Sequence, residues 1–224
     1  MRIVALDTAG RACSVALMTG DAVLERIEHR PRRHAATVLP MLESLLHEAG
    51  LAMDDLDGIV FGRGPGSFTG LRIAASVTQG LAFGADLPVA PVSSLAAAAT
   101  AAHRRHGWQR VLVANDARMG EIYGGCYVLD EAGLAREMGA DALLTPEALA
   151  LPPDGPWHGA GTAFAAWPDL ADRLGVAGAD PDLEPVARDL LPLGAAILGA
   201  GKGVPAEDAL PVYLREKVAW TAGG

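Results

Sequence analysis

Arg110-Val111-Leu112-Val113-Ala114-Asn115-Asp116-Ala117-Arg118-Met119-Gly120-Glu121 is the stretch that decides the fold. An apolar run ends in Asp, a glycine-containing turn follows, and a second apolar run leads from Glu121 to Leu129. The chain opens on the same plan. Arg2 to Thr8 is apolar up to Asp7, Ala9-Gly10-Arg11-Ala12 turns, and Cys13 to Met18 is apolar again. Runs of this length bounded by turn residues read as buried strands. Two copies of strand, Asp, turn and strand point to an internal duplication, with Asp7 and Asp116 in matching places. The repeat is short, and an Asp at a strand end also serves ordinary turn formation.

Outward from the first copy, Ala22 to Glu28 completes an antiparallel meander. His34 to Ala49 is predicted as a helix, with Pro40 near its first turn and Gly50 closing it. Its apolar residues, among them Leu39, Leu42 and Leu46, fill an arc of roughly 160°, wider than one sheet face requires. Gly58 to Phe61 reads as a short buried strand. Gly62-Arg63-Gly64-Pro65-Gly66-Ser67-Phe68-Thr69-Gly70 follows and launches a helix to about Phe83. That helix carries no charge between Arg72 and Asp86, and Leu71, Ile73, Val77, Leu81 and Phe83 point in different directions around it. Such a helix is usually covered on more than one side. Ser93 or Ser94 caps an alanine-rich helix to about Arg105. After the second copy, Ala135 to Leu144 is a third apolar stretch. Trp157 to Thr162 reads as a strand, Ala163 to Leu174 as one helix, 175–185 as a loop and Pro185 to Gly199 as a final helix. The stretch from Pro211 to Trp220 is too apolar to be a free end.

The whole chain sets further bounds. Its 224 residues are half hydrophobic, enough for a large core. The first apolar run meets Asp7 too early for a signal peptide, and no run of about 20 apolar residues suggests a membrane span. Cys13 and Cys126 stand far apart, which fits a reducing compartment and the cytoplasm. A net charge of -9 argues against autonomous nucleic-acid binding. Two local basic runs remain, 29–34 and 103–106. Arg30, Arg32 and Arg33 are candidates for a salt-sensitive RNA contact, against the plainer reading of a solvated loop.

Self-sufficient catalytic sets are missing. No Gly-Lys-Ser/Thr follows the glycine-rich junction, and its spacing does not match a dinucleotide fingerprint. No HExxH, CxxC or G-x-S-x-G occurs. The remaining catalytic candidates are Asp7, Thr8 and Asp116, which would hold a metal–phosphate complex or activate water, with Gly64 and Gly66 letting a phosphate approach. On that reading the protein is a stand-alone nucleotide-dependent kinase or hydrolase. The competing reading gives the carboxylates to turns and the glycines to backbone geometry.

Four segments resemble the TsaB family across nearly the whole chain. They are Ala5-Leu6-Asp7-Thr8 with Cys13-Ser14-Val15-Ala16, Gly64 to Arg72, Asp116 to Tyr123, and Pro211-Val212-Tyr213-Leu214-Arg215. The resemblance implies a duplicated actin-like, ribonuclease-H-like ATPase fold, α/β in class. Residues 1–107 would form a first subdomain and 108–207 a second, with 208–224 packing back on the first. It also implies a non-catalytic subunit that activates a paralogous TsaD-like catalytic subunit and is joined by a TsaE-like ATPase. Together they attach a threonylcarbamoyl group to the adenosine beside the anticodon of transfer RNAs. ATP or ADP and metal would belong to the partners, and transfer RNA would be met only within the complex. The expected partner face uses Leu39, Leu42, Leu46, Ile73, Val77 and Leu81, and would also serve self-association. Only His34 stands where TsaD-like proteins carry a metal-binding histidine pair, which supports a non-catalytic role. An older description of the wider family as proteases finds no residue set here.

Overall fold

The first apolar repeat forms a meander of β1 (Arg2–Asp7), β2 (Cys13–Thr19) and β3 (Ala22–Glu28), paired antiparallel. The computed structural model describes residues 1–29 and 34–215. Arg30, Arg32, Arg33 and the chain beyond Arg215 lie outside these described residues. After α1 (His34–Ala49), β4 (Gly58–Gly64) joins the far side of β1 in parallel. Then α2 (Phe68–Ala85) crosses back so that β5 (Val89–Ser93) extends the sheet in parallel. The order is β3-β2-β1-β4-β5.

The second repeat rebuilds this sheet. After α3 (Ser94–His106), β6 (Arg110–Arg118), β7 (Glu121–Leu129) and β8 (Ala135–Glu137) form another antiparallel meander. β9 (Ala142–Leu144) pairs beside it on β7. β10 (His158–Ala160) runs parallel to β6, and β11 (Ala179–Asp180) parallel to β10. The order β8-β7-β6-β10-β11 repeats the first sheet strand for strand and sense for sense. This is the duplicated ribonuclease-H-like, actin-like arrangement.

Local expectations change at several points, and β11 falls within the stretch 175–185 expected as a loop. The apolar stretch 135–144 is two short strands rather than one element. The helix expected over 163–174 divides into α4 (Ala163–Ala166) and α5 (Leu170–Leu174). Pro168 supplies no N–H and holds the residue before it out of the helical region; Trp167 is extended, with φ -125° and ψ 90°. Pro40 lies inside α1 rather than at its start.

The helices do not follow the sequence halves. α1 and α2 cover one face of the first sheet, where Val4, Leu6, Val15 and Phe61 meet Val38 and Leu42. The other face, carrying Ile3, Ala5 and Val60, is covered by α6 (Ala187–Gly199) from the end of the chain. Conversely α3, from the first half, covers Val111, Val113 and Tyr127 of the second sheet. A boundary at 107/108 therefore separates the sheets but not the helices. Residues 204–209 return to the first sheet: Val204 bridges Val89, and Ala209 is buried in the first core.

α3 and α6 touch where they cross, and a charge pair fixes them there. Asp189 is 1% exposed. It accepts from the Val186 N–H, capping α6, and from Arg104 Nε of α3 at 2.8 Å. Close approach of α6 to the first sheet depends on Gly194, where a Cβ would stand 2.3 Å from a Val60 methyl. We expect Gly194→Ala to destabilise the fold by about 1–3 kcal/mol through overpacking, despite alanine's higher helix propensity. Urea denaturation checks this, and pairing the change with Val60→Ala should recover part of the loss.

Candidate functional site

The β1–β2 turn and the glycine-rich junction are built against each other. Ser67 N–H donates to Ala9 O at 3.0 Å, and Thr8 Oγ1 donates to Gly70 O at 2.7 Å. A Cβ on Gly70 would sit 1.9 Å from Thr8 O, so no other residue fits there. Ser67 caps α2 by accepting from the Gly70 N–H. Gly70, and Gly66 against Ala9, thus permit the close approach of this loop and α2 to the β1–β2 turn, which favours the structural reading of these two glycines.

Between the two sheets lies a cleft of about 880 Å³. Asp7, Gly66 and Asp116 line it, as do Arg11, Asn115 and Glu184. Of the five residues expected near a nucleotide, Thr8 and Gly64 are not among its lining residues. Thr8 is buried against α2, and Gly64 lies beside Leu71, with the carbonyl of Val212 close by. Asp7 and Asp116 are not counterparts either. Counted from Arg2 and Arg110, and by the sheet face each residue takes, Asp7 corresponds to Asn115. Asn115 Oδ1 accepts from the Thr162 N–H, so the second lobe has an amide where the first has a carboxylate.

The charges in the cleft are largely occupied. Asp116 accepts from the Arg118 backbone N–H at 2.7 Å and pairs with its guanidinium at 3.0 Å, closing its own turn. Arg11 pairs with Glu184 at 2.6 Å. The Arg72 guanidinium lies 3.9 Å over the Phe68 ring. A phosphate would have to break such pairs, and among the described residues no lysine lines the cleft. Among the described residues, no group of three His, Cys, Asp or Glu is placed to hold a metal ion.

Asp7 is the one strongly perturbed carboxylate here. Burial pushes it up to about 6, opposed by the Ala9 N–H it accepts and reinforced by Asp189 and Glu184. A proton held more tightly in the folded chain stabilises it below the ordinary value near 3.8, and that contribution disappears as pH rises through about 6. Asp7→Asn keeps an acceptor for Ala9 and removes the charge. The variant should gain about 2–3 kcal/mol over the parent at pH 8 and almost nothing at pH 4, read by urea denaturation at both pH values.

The expected partner face divides. Leu42 and Leu46 belong to the first core, because α1 turns them onto the sheet. They are corrected from surface to interior positions. Leu39 is exposed, and Ile73, Val77 and Leu81 are half-buried along α2. Phe83 is 83% exposed, far more than any residue in the expected set. Gly80 and Gly84 sit near it inside α2, and a Cβ on either would meet nothing within 4 Å. By sequence these exposed glycines cannot be told from the buried Ala74 and Ala75 of the same uncharged helix. Burial, which periodicity alone did not assign here, makes the distinction.

Similarity to known proteins agrees with this geometry. The family model described as "TsaD: tRNA N6-adenosine threonylcarbamoyltransferase" matches residues 24–210. The chain is 44% identical to the tRNA threonylcarbamoyladenosine biosynthesis protein TsaB of Escherichia coli, covering 98% of this chain and 97% of that protein. Identity to the Haemophilus influenzae TsaB is 37%, covering 98% and 96%. A Pseudomonas aeruginosa crystal structure, described as an uncharacterized protein with similarity to peptidase YEAZ, superposes with a TM-score of 0.89 at 47% identity, covering 96% of this chain and 99% of that one. The chain belongs to the TsaB family, within the wider group that the TsaD model describes.

Proposed function

We propose that this chain is the non-catalytic, activating subunit of the machinery that attaches a threonylcarbamoyl group to transfer RNA, and that it works by docking a TsaD-like subunit on α2 and the neighbouring α1. One observation carries the proposal, the uncovered face of α2. Glycine inside a helix costs roughly 0.5–1 kcal/mol relative to alanine. Gly80 and Gly84 face open space, so packing among the described residues gives no reason for them. With exposed Ser76 they form a low strip at i, i+4 and i+8, flanked by Phe83 and the half-buried Val77 and Leu81. Such a strip lets a second helix approach closely, while the aromatic side chain supplies area to bury.

A paralogue is the occupant this surface suits. The match to a TsaD model along most of this chain supports a partner with the same fold, and hence an equivalent helix pair. Like faces then meet across a pseudo-two-fold, and two copies of this chain pair the same way when the partner is absent. ATP or ADP and metal are assigned to the TsaD-like and TsaE-like subunits, consistent with the paired charges in this chain's own cleft. Transfer RNA is met within the complex, in the compartment where it is modified.

Gly80→Leu and Phe83→Asp alter exposed atoms only, so both variants should stay folded, with Gly80→Leu gaining up to about 0.5–1 kcal/mol from its higher helix propensity. Each should weaken binding to a TsaD-like partner at least about tenfold, a loss of 1.4 kcal/mol, and remove self-association in light scattering. Leu46→Asp is not a valid probe, because it places a charge in the core. Unchanged affinity in both surface variants refutes the docking face. Saturable ATP–magnesium binding by the isolated chain, lost in Asp7→Asn, would favour a stand-alone nucleotide enzyme instead.

A further inference from the structure

Residues 209–215 leave the first lobe and end on the second. Ala209 is buried in the first core, and its carbonyl accepts from Gln79 Nε2 of α2 at 3.3 Å. Val212 N–H donates to Arg63 O at 2.8 Å, extending the end of β4. The Tyr213 ring packs on Phe68 with centroids 5.3 Å apart, and its hydroxyl accepts from Arg72 Nε at 3.4 Å. Two residues later the anchorage changes lobes. Arg215 Nη2 donates to Ala117 O at 3.1 Å, to Arg118 O at 3.3 Å and to the Glu121 carboxylate at 2.5 Å. Val212, Tyr213, Leu214 and Arg215 all line the cleft they cross.

The receiving turn is unusual. Arg118, Met119 and Gly120 have φ of 65°, 57° and 76°, three consecutive left-handed residues of which two are not glycine. Left-handed non-glycine residues cost on the order of 1–2 kcal/mol each, and tight hairpins ordinarily use Asn-Gly or Asp-Gly there. Arg215 bonds the carbonyls of Ala117 and Arg118 as the chain enters this segment, and the carboxylate of Glu121 as it leaves. The Arg215 side chain is only 16% exposed, so its pair with Glu121 is not the screened surface kind that contributes little. Nη2 shares its two hydrogens among these three oxygens while Nη1 donates to Met119 Sδ, and a single ammonium nitrogen cannot reach both sets of partners from one position.

We infer that residues 209–215 are a strap that holds the two lobes at a fixed opening, with Arg215 as its latch on the β6–β7 turn. The strap makes across the cleft the bridge that a bound ligand would otherwise have to make. Arg215 is a positioning residue that acts through the turn it holds. This inference concerns the isolated chain and stands independently of what docks on α2.

Spin labels at Asp54 on the first lobe and Asp172 on the second, in a chain with both cysteines changed to serine, read the opening directly. The parent should give one narrow distance distribution. Arg215→Ala should broaden it and move its mean outward, and hydrogen-exchange protection at Met119, Gly120 and Glu121 should fall at least about tenfold. Glu121→Gln, which leaves both carbonyl bonds, should give a smaller change of the same sign. Arg215→Lys keeps the charge without the fork and should fall between parent and Arg215→Ala. It also serves as the test variant if Arg215→Ala does not fold. A distribution indistinguishable from the parent's in Arg215→Ala, or in Arg215→Lys if only that variant folds, overturns the latch.

Discussion

Exchange of α3 and α6 between the two sheets is the constraint on which the structure depends. Each lobe has a sheet whose second face is bare until a helix from the other half of the chain arrives. α6 brings Leu190 and Leu191, both fully buried, onto the first sheet. Burying two leucines contributes about 3–6 kcal/mol before the entropy of ordering the helix is counted. α3 brings an alanine-rich surface to the second sheet, and the small side chains let the two helices cross closely. Asp189 then satisfies the α6 N-terminus and Arg104 at once, so the crossing geometry is specified as well as covered. Neither lobe is a self-contained folding unit.

That exchange sets the cleft. With the lobes joined at the α3–α6 crossing, the ends of β1 and β6 face a common space, and the turns after each strand become its walls. In the first lobe the wall is reinforced by α2, whose start is pressed onto Thr8 through Gly70. In the second, Asp116 is consumed by its own turn. The carboxylates that invite a nucleotide reading are therefore of two kinds. Asp116 is paired with Arg118 of its own turn, while Asp7 is buried with a raised affinity for its proton. Both carboxylates line the cleft, and each also accepts a backbone N–H from two residues on.

α2 connects this interior to the outside. Its inner face is core, its start supports the cleft wall, and its outer strip of exposed Ser76, Gly80 and Gly84 is uncovered among the described residues. Gln79 and Arg72 on the same helix hold the segment that crosses to the second lobe. A subunit docked on α2 would thus rest on the element that also carries the strap.

The sequence alone determined the duplication, the meanders and most helix positions, because these rest on local periodicity and turn chemistry. It also carried the family signature, since Gly64 to Arg72 is nearly incompatible with other backbones: Gly70 has no room for any side chain. Three things were decided only by tertiary structure. Leu42 and Leu46 looked like surface candidates because an apolar arc shows how much of a helix can be buried, not which side meets its own sheet. Asn115, not Asp116, proved to be the counterpart of Asp7, because sheet register and facing count residues along paired strands rather than matching letters. The partnership of Arg104 with Asp189, and of Arg215 with Glu121, joins residues 85 and 94 positions apart. Such pairs leave no local pattern: one carboxylate and one guanidinium among many become specific only when folding removes water from between them.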